Sequence, residues 1–365
     1  MYISRLSALN FKSIRQLELE FVPKINCFVG NNGQGKTNLL DAIYYLSMCK
    51  SAFGLTDTQV PTHGEPFFML QGSYSRKGSH EQVSCGFKLN GGKVFKRNGN
   101  EYERLAEHIG LLPVVMVSPA DSALIAGAGD ERRRYMNNVI SQYDRLYLDE
   151  VMRYGRALAQ RNSLLKSGRL NPDLIEAIDA QLAVSGQRIY DKRLYFIDQL
   201  TPIFQEHYAQ VSGRPEQVSL SYRSHLHNAD MAQLLRQSFD RDRAMQHTTV
   251  GVHRDDMQLL LNGFPIRREG SQGQQKTYLI ALKLAQLNFI GRVARLNPML
   301  LLDDIFDKLD ADRVQQLIAL VAKEEFGQIF ITDTNPMRLH NAMAHNGLTY
   351  SLFHVYNGTA VPHTS

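Results

Sequence analysis

The fold class of this chain follows from one octapeptide, Gly30-Asn31-Asn32-Gly33-Gln34-Gly35-Lys36-Thr37. It matches G-x-x-x-x-G-K-[ST], the pattern of a phosphate-binding loop. The mostly apolar run Ile25–Val29 precedes it, as a buried strand does, and a helical pattern follows it. A glycine-rich turn that binds nothing is the alternative, but the strand–loop–helix context favours a nucleotide site.

The residue types of the octapeptide suit phosphate chemistry. Glycines let backbone N–H groups close around phosphate oxygens, and the N-terminus of the following helix adds the positive end of its dipole. We expect Lys36 to reach the β and γ phosphates and the Thr37 hydroxyl to ligate Mg²⁺. The whole loop from Gly30 to Thr37 is therefore predicted to bind the cofactor.

Composition is that of an ordinary globular protein with room for two domains. The chain has 365 residues, of which 43% are hydrophobic and 21% charged. Its three cysteines are sparse and odd in number, which argues against a disulfide framework. No stretch approaches the roughly 18 apolar residues of a membrane span, and the N-terminus lacks the apolar core of a signal peptide. We therefore expect a cytoplasmic protein with no membrane partner.

The secondary-structure pattern changes twice along the chain. The pattern of residues 1–120 predicts mostly strands, which precede and follow the helix after the octapeptide. Residues 121–245 are mainly helical, with Gly168 as the expected end of one long helix and Asn171-Pro172 as the start of the next. Strand and helix alternate in residues 246–365. The sequence predicts an α/β body, residues 1–120 and 246–365, into which a helical arm is inserted.

A second motif supplies the partner carboxylates of a phosphate loop. The apolar strand Leu300–Leu302 delivers Asp303 and Asp304 at its carboxyl end, where ligands gather in open α/β sheets. We expect Asp303 to hold Mg²⁺ together with Thr37. Asp304 is predicted to orient the attacking water, as a catalytic residue alongside Lys36. Two acids after a strand are more often a solvated turn, but the phosphate loop favours the functional interpretation.

A third motif, Ser271-Gln272-Gly273-Gln274, opens a long helix shortly before that strand. A serine hydroxyl and a glycine amide at a helix N-terminus form an anion site, whereas a plain N-cap serine is the alternative. Beside the other two motifs, the tetrapeptide resembles the signature of ATP-binding-cassette ATPases.

That resemblance implies an ATPase head with mixed sheets and an α/β core. It also implies ATP and Mg²⁺ as cofactors, and a homodimer in which the signature of one subunit caps the γ-phosphate held by the other. Asp310 falls at the position of the D-loop aspartate in this class of ATPase.

Other segments narrow the resemblance to the RecF family of recombination mediators. The segments that carry it are Leu9–Ile14, Val117–Asp121, Glu131–Arg134, Tyr154–Lys166, Gly251–Asp256 and Leu302–Asp310. The resemblance spans the chain and implies that Lys12 approaches the nucleotide.

The chain also departs from the patterns it resembles. Ala52-Phe53-Gly54 stands where the family usually has an arginine, and Thr332-Asp333-Thr334 replaces the histidine of transporter ATPases. Asp304 replaces their usual glutamate. A shorter carboxylate without a supporting histidine suggests slow hydrolysis, suited to a timer more than to a motor.

Basic residues outnumber acidic ones in residues 76–104 and 132–169, which suits a surface for a phosphate backbone. Arginines on an amphipathic helix are usually a solvated face, which is the alternative. Neither cluster has a groove-reading motif, so binding is expected to be salt-sensitive and largely independent of sequence. The candidate DNA contacts are Arg132, Arg133, Arg134, Arg153, Arg156 and Arg161.

The family resemblance implies a weak, DNA-stimulated ATPase that acts as a switch. Such proteins clamp duplex DNA near single-strand gaps as ATP-dependent dimers and, with RecR and RecO, promote the loading of RecA. Double-stranded and gapped DNA are the implied partners. A structural head of the chromosome-scaffold type is the alternative, although the insertion lacks the sustained heptads of a long coiled coil.

Overall fold

The computed structural model describes residues 1–168, 171–213, 216–306, 311–322 and 326–363. The strands are β1 (Tyr2–Phe11), β2 (Ile14–Glu20), β3 (Ile25–Val29), β4 (Phe67–Arg76), β5 (Ser79–Lys88), β6 (Gly92–Arg97), β7 (Asn100–Glu101), β8 (Val114–Val117), β9 (Val218–Arg223), β10 (Asp256–Leu261), β11 (Phe264–Pro265), β12 (Met299–Leu302), β13 (Ile329–Asp333), β14 (Ser351–Tyr356) and β15 (Thr359–Pro362). The α-helices are α1 (Lys36–Met48), α2 (Ala123–Ala126), α3 (Gly129–Ser141), α4 (Arg145–Ser167), α5 (Pro172–Ser212), α6 (Met231–Met245), α7 (Ile266–Glu269), α8 (Gln272–Ala294), α9 (Ala311–Val321) and α10 (Pro336–His345).

The chain divides into two compact units, and the first contains two sheets. This unit consists of Met1–Asp121 and Leu282–Ser365. One sheet is antiparallel, in the order β2-β1-β4-β5-β6-β7. The other has the order β15-β14-β3-β13-β12-β8 and is parallel except for β15. The predicted combination of mixed sheets and an α/β core is confirmed.

The core of the first unit joins the antiparallel sheet, α1 and one face of the parallel sheet. Phe28 and Phe330 stack there with ring centroids 6.2 Å apart, and Phe21 packs edge-on at 5.0 Å from Phe330. Each fully buried aromatic side chain of this kind stabilises the fold by about 1.5–3 kcal/mol. This packing buries β3, the strand that leads into the octapeptide.

Strand β3 lies inside the parallel sheet, and all five of its residues are buried. It pairs with β13 on one side and β14 on the other, and β13 in turn pairs with β12. Parallel strands end at the same edge of a sheet. The octapeptide after β3 and the two aspartates after β12 therefore meet at one edge, with the end of β13 between them.

The second unit, Ser122–Ala281, contains the predicted helical arm. Helix α4 ends as predicted, with Gly168 in the left-handed region at φ 68°. Asn171 caps α5, because its side chain accepts a hydrogen bond from the Leu174 N–H, and Pro172 follows at the first helical position. Both helix boundaries are confirmed.

The second unit extends further along the chain than the insertion predicted to end at residue 245. Strand β10 pairs antiparallel with β9 over its whole length. Because β9 lies in the helical unit, the pairing brings residues 246–281 into that unit as well. The compact first unit resumes at Leu282, inside α8.

The three cysteines, Cys27, Cys49 and Cys85, are free and buried, as expected of a chain without a disulfide framework. Among the described residues, no helix is both long and apolar enough to cross a bilayer.

Candidate nucleotide-binding site

The octapeptide is a tight loop whose glycines are needed for space and for backbone conformation. Gly33 and Gly35 have φ angles of 80° and 107°, in the region that favours glycine. A Cβ atom on Gly30 would lie 2.3 Å from the Val355 carbonyl oxygen, so a side chain does not fit there. Helix α1 begins at Lys36, directly after the last glycine. The loop thus presents its backbone N–H groups at a helix N-terminus, an arrangement that suits phosphate.

The turn between β14 and β15 braces the loop. The Asn357 N–H donates to Gln34 Oε1 at 2.7 Å, and the Gly358 N–H donates to the Gln34 carbonyl oxygen at 2.9 Å. The sequence analysis missed this contact. Asn357-Gly358 is a hairpin signal that reveals the turn, but only the sheet order, which places β14 beside β3, reveals what the turn touches.

Lys36 is buried, and its ammonium group lies inside the loop. Its Nζ donates to the carbonyl oxygens of Gly30 at 2.7 Å and Asn31 at 3.0 Å. Burial lowers the pKa of Lys36, while the nearby carboxylates of Asp304 and Asp303 act in the opposite direction. A desolvated cation held this way provides a strong interaction for phosphate oxygens that enter the loop.

The Thr37 hydroxyl and the Asp303 carboxylate are in direct contact. Thr37 Oγ1 donates to Asp303 Oδ1 at 2.9 Å and lies 3.0 Å from Oδ2. Asp303 is 4% exposed, and burial raises its pKa, opposed by hydrogen bonds from Thr332 and Thr37. A carboxylate and a hydroxyl are hard oxygen ligands of the kind that Mg²⁺ prefers, so this pair fits the cation predicted here.

Asp304, the predicted catalytic carboxylate, has an unusual backbone conformation. Its φ angle is 48°, in the left-handed region that non-glycine residues seldom adopt. Its N–H donates to Thr332 Oγ1 at 2.9 Å. Its charge acts on the Lys36 ammonium, so the two predicted catalytic residues are close enough to interact.

Lys12 is held beside the loop by an anion and an aromatic ring. Its Nζ lies 2.7 Å from Asp41 Oδ2 and 4.7 Å from the centroid of the Phe53 ring. The next residue, Ser13, accepts a hydrogen bond through Oγ from the Asn38 side chain at 2.7 Å. The turn between β1 and β2 therefore adjoins the first turn of α1, and the approach of Lys12 to a nucleotide stays a prediction.

The signature tetrapeptide starts α8 with a reciprocal cap, in which Ser271 is exposed and Gln274 is half-buried. The Ser271 N–H donates to Gln274 Oε1 at 2.7 Å, and the Gln274 N–H donates to Ser271 Oγ at 3.3 Å. Gln272 and Gly273, between them, are also exposed. The cap fixes the serine hydroxyl at an accessible helix N-terminus. The predicted D-loop residue, Asp310, lies outside the described residues.

The six candidate DNA contacts fall into two groups. Arg132 and Arg133 are held by partners within the second unit. Arg132 Nε lies 2.6 Å from Asp256 Oδ1, and Arg133 donates a hydrogen bond to the Asp255 carbonyl oxygen at 2.7 Å. The exposed candidates are Arg134, Arg153 and Arg156.

Arg161 is not a surface residue, and its prediction as a DNA contact is wrong. Its side chain is 0% exposed and pairs with Asp179 and Asp242, each at 2.6 Å. It lies on the buried face of α4. The sequence did not indicate this, because α4 contains several arginines with similar surroundings in the sequence.

The loop, the adjoining aspartates and the capped signature define a P-loop ATPase head of the class shared by RecF, RecN and SMC proteins. The family model described as the RecF/RecN/SMC N terminal domain matches residues 2–60. The Smc head domain with an extended coiled coil from Pyrococcus furiosus shares the fold, with a TM-score of 0.56 at 16% identity over 99% of this chain and 96% of that chain.

The chain belongs to the RecF family of DNA replication and repair proteins. It is 51% identical over 360 residues to the DNA replication and repair protein RecF of Bacteroides fragilis (strain YCH46), covering 98% of this chain and 97% of that protein. The solved structure of the recombination mediator protein RecF-ATP in the RecFOR pathway matches with a TM-score of 0.89 at 31% identity, over 100% of this chain and 98% of that chain. The family resemblance is confirmed.

Proposed function

We propose that this chain is an ATP-dependent DNA-binding protein of recombinational repair and replication-fork maintenance. The observation that carries the proposal is the direct contact between Thr37 Oγ1 and Asp303, at 2.9 and 3.0 Å, beside the buried Lys36. Segments that follow two strands distant in sequence, β3 and β12, thus bring together a hydroxyl and a carboxylate that suit a magnesium–nucleotide complex. The solved structure of a relative with ATP supports the same ligand.

Thr37 and Asp303 are the residues that would hold Mg²⁺, and the cation would neutralise charge on the phosphate oxygens. Lys36 binds the β and γ phosphates, and the loop amides orient them. Asp304 accepts a hydrogen bond from the attacking water and aligns it. Because the aspartate is short and Thr332-Asp333-Thr334 stands in place of the supporting histidine, we infer slow hydrolysis that resets the protein after DNA binding.

The second half of the ATP site is supplied by another copy of the chain. In this proposal Ser271 and Gly273, at the exposed start of α8, cap the γ-phosphate held by the partner copy. ATP then shifts a monomer–dimer equilibrium, because it binds the dimer better than the monomer. The reciprocal cap between Ser271 and Gln274 supports this role by holding the serine in place before the partner arrives.

The dimer clamps double-stranded DNA near single-strand gaps, which in turn stimulates its weak ATPase activity. With RecR and RecO it promotes the loading of RecA in the cytoplasm. The exposed side chains of Arg134, Arg153 and Arg156 support a backbone-directed, salt-sensitive contact.

Analytical ultracentrifugation with and without ATP, and with and without duplex DNA, tests the proposal. Wild-type protein should dimerise with ATP and bind duplex DNA more tightly as a dimer. Lys36→Arg should abolish the ATP-dependent dimer, whereas Lys77→Arg, the same exchange at an exposed lysine, should leave it intact. Ser271→Arg should spare ATP binding but block dimerisation. A protein that stays monomeric with ATP, or whose DNA affinity ignores ATP, would refute the clamp.

A further inference from the structure

The hydroxyl of Thr332 lies between the two aspartates of the ATP site. Thr332 is in β13, opposite Phe28 of β3, and is 0% exposed. Strand β12, which delivers Asp303 and Asp304, is the neighbour on its other side. A buried hydroxyl needs hydrogen-bond partners, and at this position both partners belong to the catalytic edge of the sheet.

The two hydrogen bonds of this hydroxyl have a fixed direction. Thr332 Oγ1 lies 2.9 Å from Asp303 Oδ1 and 2.9 Å from the Asp304 nitrogen. The backbone N–H of Asp304 is a donor only, so Thr332 accepts from it and gives its single proton to the Asp303 carboxylate. One side chain thus sets both the rotation of Asp303 and the backbone position of Asp304.

The contact with Asp304 matters because that residue is strained. A φ angle of 48° is uncommon for a non-glycine residue and persists only when its surroundings hold it. The bond from its N–H to Thr332 provides such a restraint. A short aspartate side chain adjusts its reach less than a glutamate does, so its backbone position decides where the carboxylate points.

We propose that Thr332 is a positioning residue for ATP hydrolysis, which sets the magnesium carboxylate and the catalytic carboxylate together. The inference rests on the proposed ATPase function. It gives a role to Thr332, the first residue of the segment that stands in place of a histidine found in transporter ATPases. Thr332 touches neither the nucleotide nor the water in this role, and acts through Asp303 and Asp304.

The test uses three substitutions in the full chain. Thr332→Val keeps the shape but removes the hydroxyl, Thr332→Ser keeps the hydroxyl, and Thr334→Val repeats the exchange at a half-buried threonine two residues further along. The measurements are kcat and KM for ATP, the Mg²⁺ concentration that half-saturates binding of a non-hydrolysable ATP analogue, and the thermal unfolding midpoint.

Thr332→Val should lower kcat by about 10-fold or more and raise the half-saturating Mg²⁺ concentration by a similar factor, as removal of such supporting partners does at metal sites. Its KM for ATP should change by less than about 3-fold, because Lys36 and the loop amides still bind the phosphates. Thr332→Ser should recover most of both losses, and Thr334→Val should resemble wild type.

Wild-type kcat and Mg²⁺ dependence in Thr332→Val would overturn the inference. Equal losses in the valine and serine variants would also overturn it, because they would show that keeping the hydroxyl does not preserve the function of the site. A wild-type protein that binds the analogue but hydrolyses no ATP would refute the proposed ATPase activity. In that case the Mg²⁺ titration still tests whether Thr332 orients Asp303.

Discussion

Arg161 and Asp242 form an ion pair sealed inside the second unit, with Nη1 2.6 Å from Oδ2 and both side chains 0% exposed. The Arg161 guanidinium also donates to Asp179 and to the Thr248 hydroxyl, from Nε and Nη1 respectively. Buried charges of this kind are costly unless every partner is present. Arg161 therefore ties α4 to α5 through Asp179 and to the end of α6 through Asp242.

Replacing Arg161 with leucine should destabilise the protein by about 3–5 kcal/mol, because it leaves Asp242 charged and buried without its cation. The free energy of unfolding, from urea titration, measures the loss. Arg156→Leu is the matched control, since it makes the same exchange at an exposed position on the same helix, and should change stability by less than about 1 kcal/mol. Normal stability of Arg161→Leu with weakened DNA binding would restore Arg161 as a DNA contact.

The contact between the β14–β15 turn and the phosphate loop predicts that a substitution at Gly358 lowers the affinity for ATP, although Gly358 is far along the chain from the octapeptide. A Cβ atom on Gly358 would lie 2.1 Å from the Ser13 carbonyl oxygen, so Gly358→Ala forces the β14–β15 turn away from Gln34. We expect ATP affinity to fall by about 10-fold, a loss of about 1.4 kcal/mol. Binding of a fluorescent ATP analogue measures the change.

Gly347→Ala is the control for backbone strain alone. Gly347 also has a positive φ angle, 61°, but no atom lies within 4 Å of the place where its Cβ would be. This variant should lose about 1 kcal/mol of stability with unchanged ATP affinity. Equal affinities in the two variants would show that the turn does not support the loop.

The burial of His108 predicts that the protein loses stability in mild acid. The ring is 0% exposed, and its Nε2 lies 2.7 Å from the Leu46 carbonyl oxygen, so Nε2 donates and Nδ1 accepts from the Tyr102 hydroxyl. Burial lowers the pKa of His108 to about 4. The unfolded chain, with a histidine pKa of about 6.5, takes up the proton first. Protonation therefore favours unfolding, and stability falls as the pH drops from about 6.5 towards 4.

Between pH 7 and pH 5, this one histidine should lower the free energy of unfolding by about 2 kcal/mol. Unfolding free energies of wild type and His108→Leu at both pH values measure it. The variant should be less stable at pH 7, because it loses two hydrogen bonds, but it should lose about 2 kcal/mol less on acidification. His80→Leu, at an exposed histidine, is the control. The prediction would be contradicted if His108→Leu lost as much unfolding free energy between pH 7 and pH 5 as the wild-type protein does.

The elements that the sequence predicted correctly are those whose signal is local. The octapeptide, the apolar strand before Asp303 and Asp304, and the capped start of α8 each combine a residue pattern with a single strand or helix terminus. Because parallel strands end at one edge of a sheet, the correct prediction of β3 and β12 also predicted that Thr37 and Asp303 lie close together.

The features that the sequence did not reveal depend on pairing between distant segments. Residues 246–281 join the helical unit because β10 pairs with β9, and no local pattern records that choice. Arg161 looked like its exposed neighbours, because an amphipathic helix with many arginines does not show which one faces inward. Thr332 is an ordinary strand residue until β12 and β13 are placed side by side.

The cleft between α4 and α5 provides the most direct test of the DNA surface. Arg153 and Arg156 line it, and the contact of Arg153 with Glu150, at 3.6 Å and 61% side-chain exposure, is too weak to compete with a phosphate. Each arginine that neutralises one phosphate adds about 0.9 to the slope of log affinity against log salt. Arg153→Ala and Arg156→Ala should each lower the slope by about 1, and together by about 2.

Arg236→Ala, at an exposed arginine of α6 outside this cleft, should leave the slope unchanged, and all three variants should keep wild-type stability. Fluorescence anisotropy of labelled duplex DNA across a salt series, with ATP present, gives the slopes. The losses should be the same for unrelated DNA sequences, because phosphate contacts carry no sequence information. If the double variant kept the wild-type slope, the duplex would bind elsewhere. Each phosphate contact releases counterions from the DNA, so removing a contact must lower the slope.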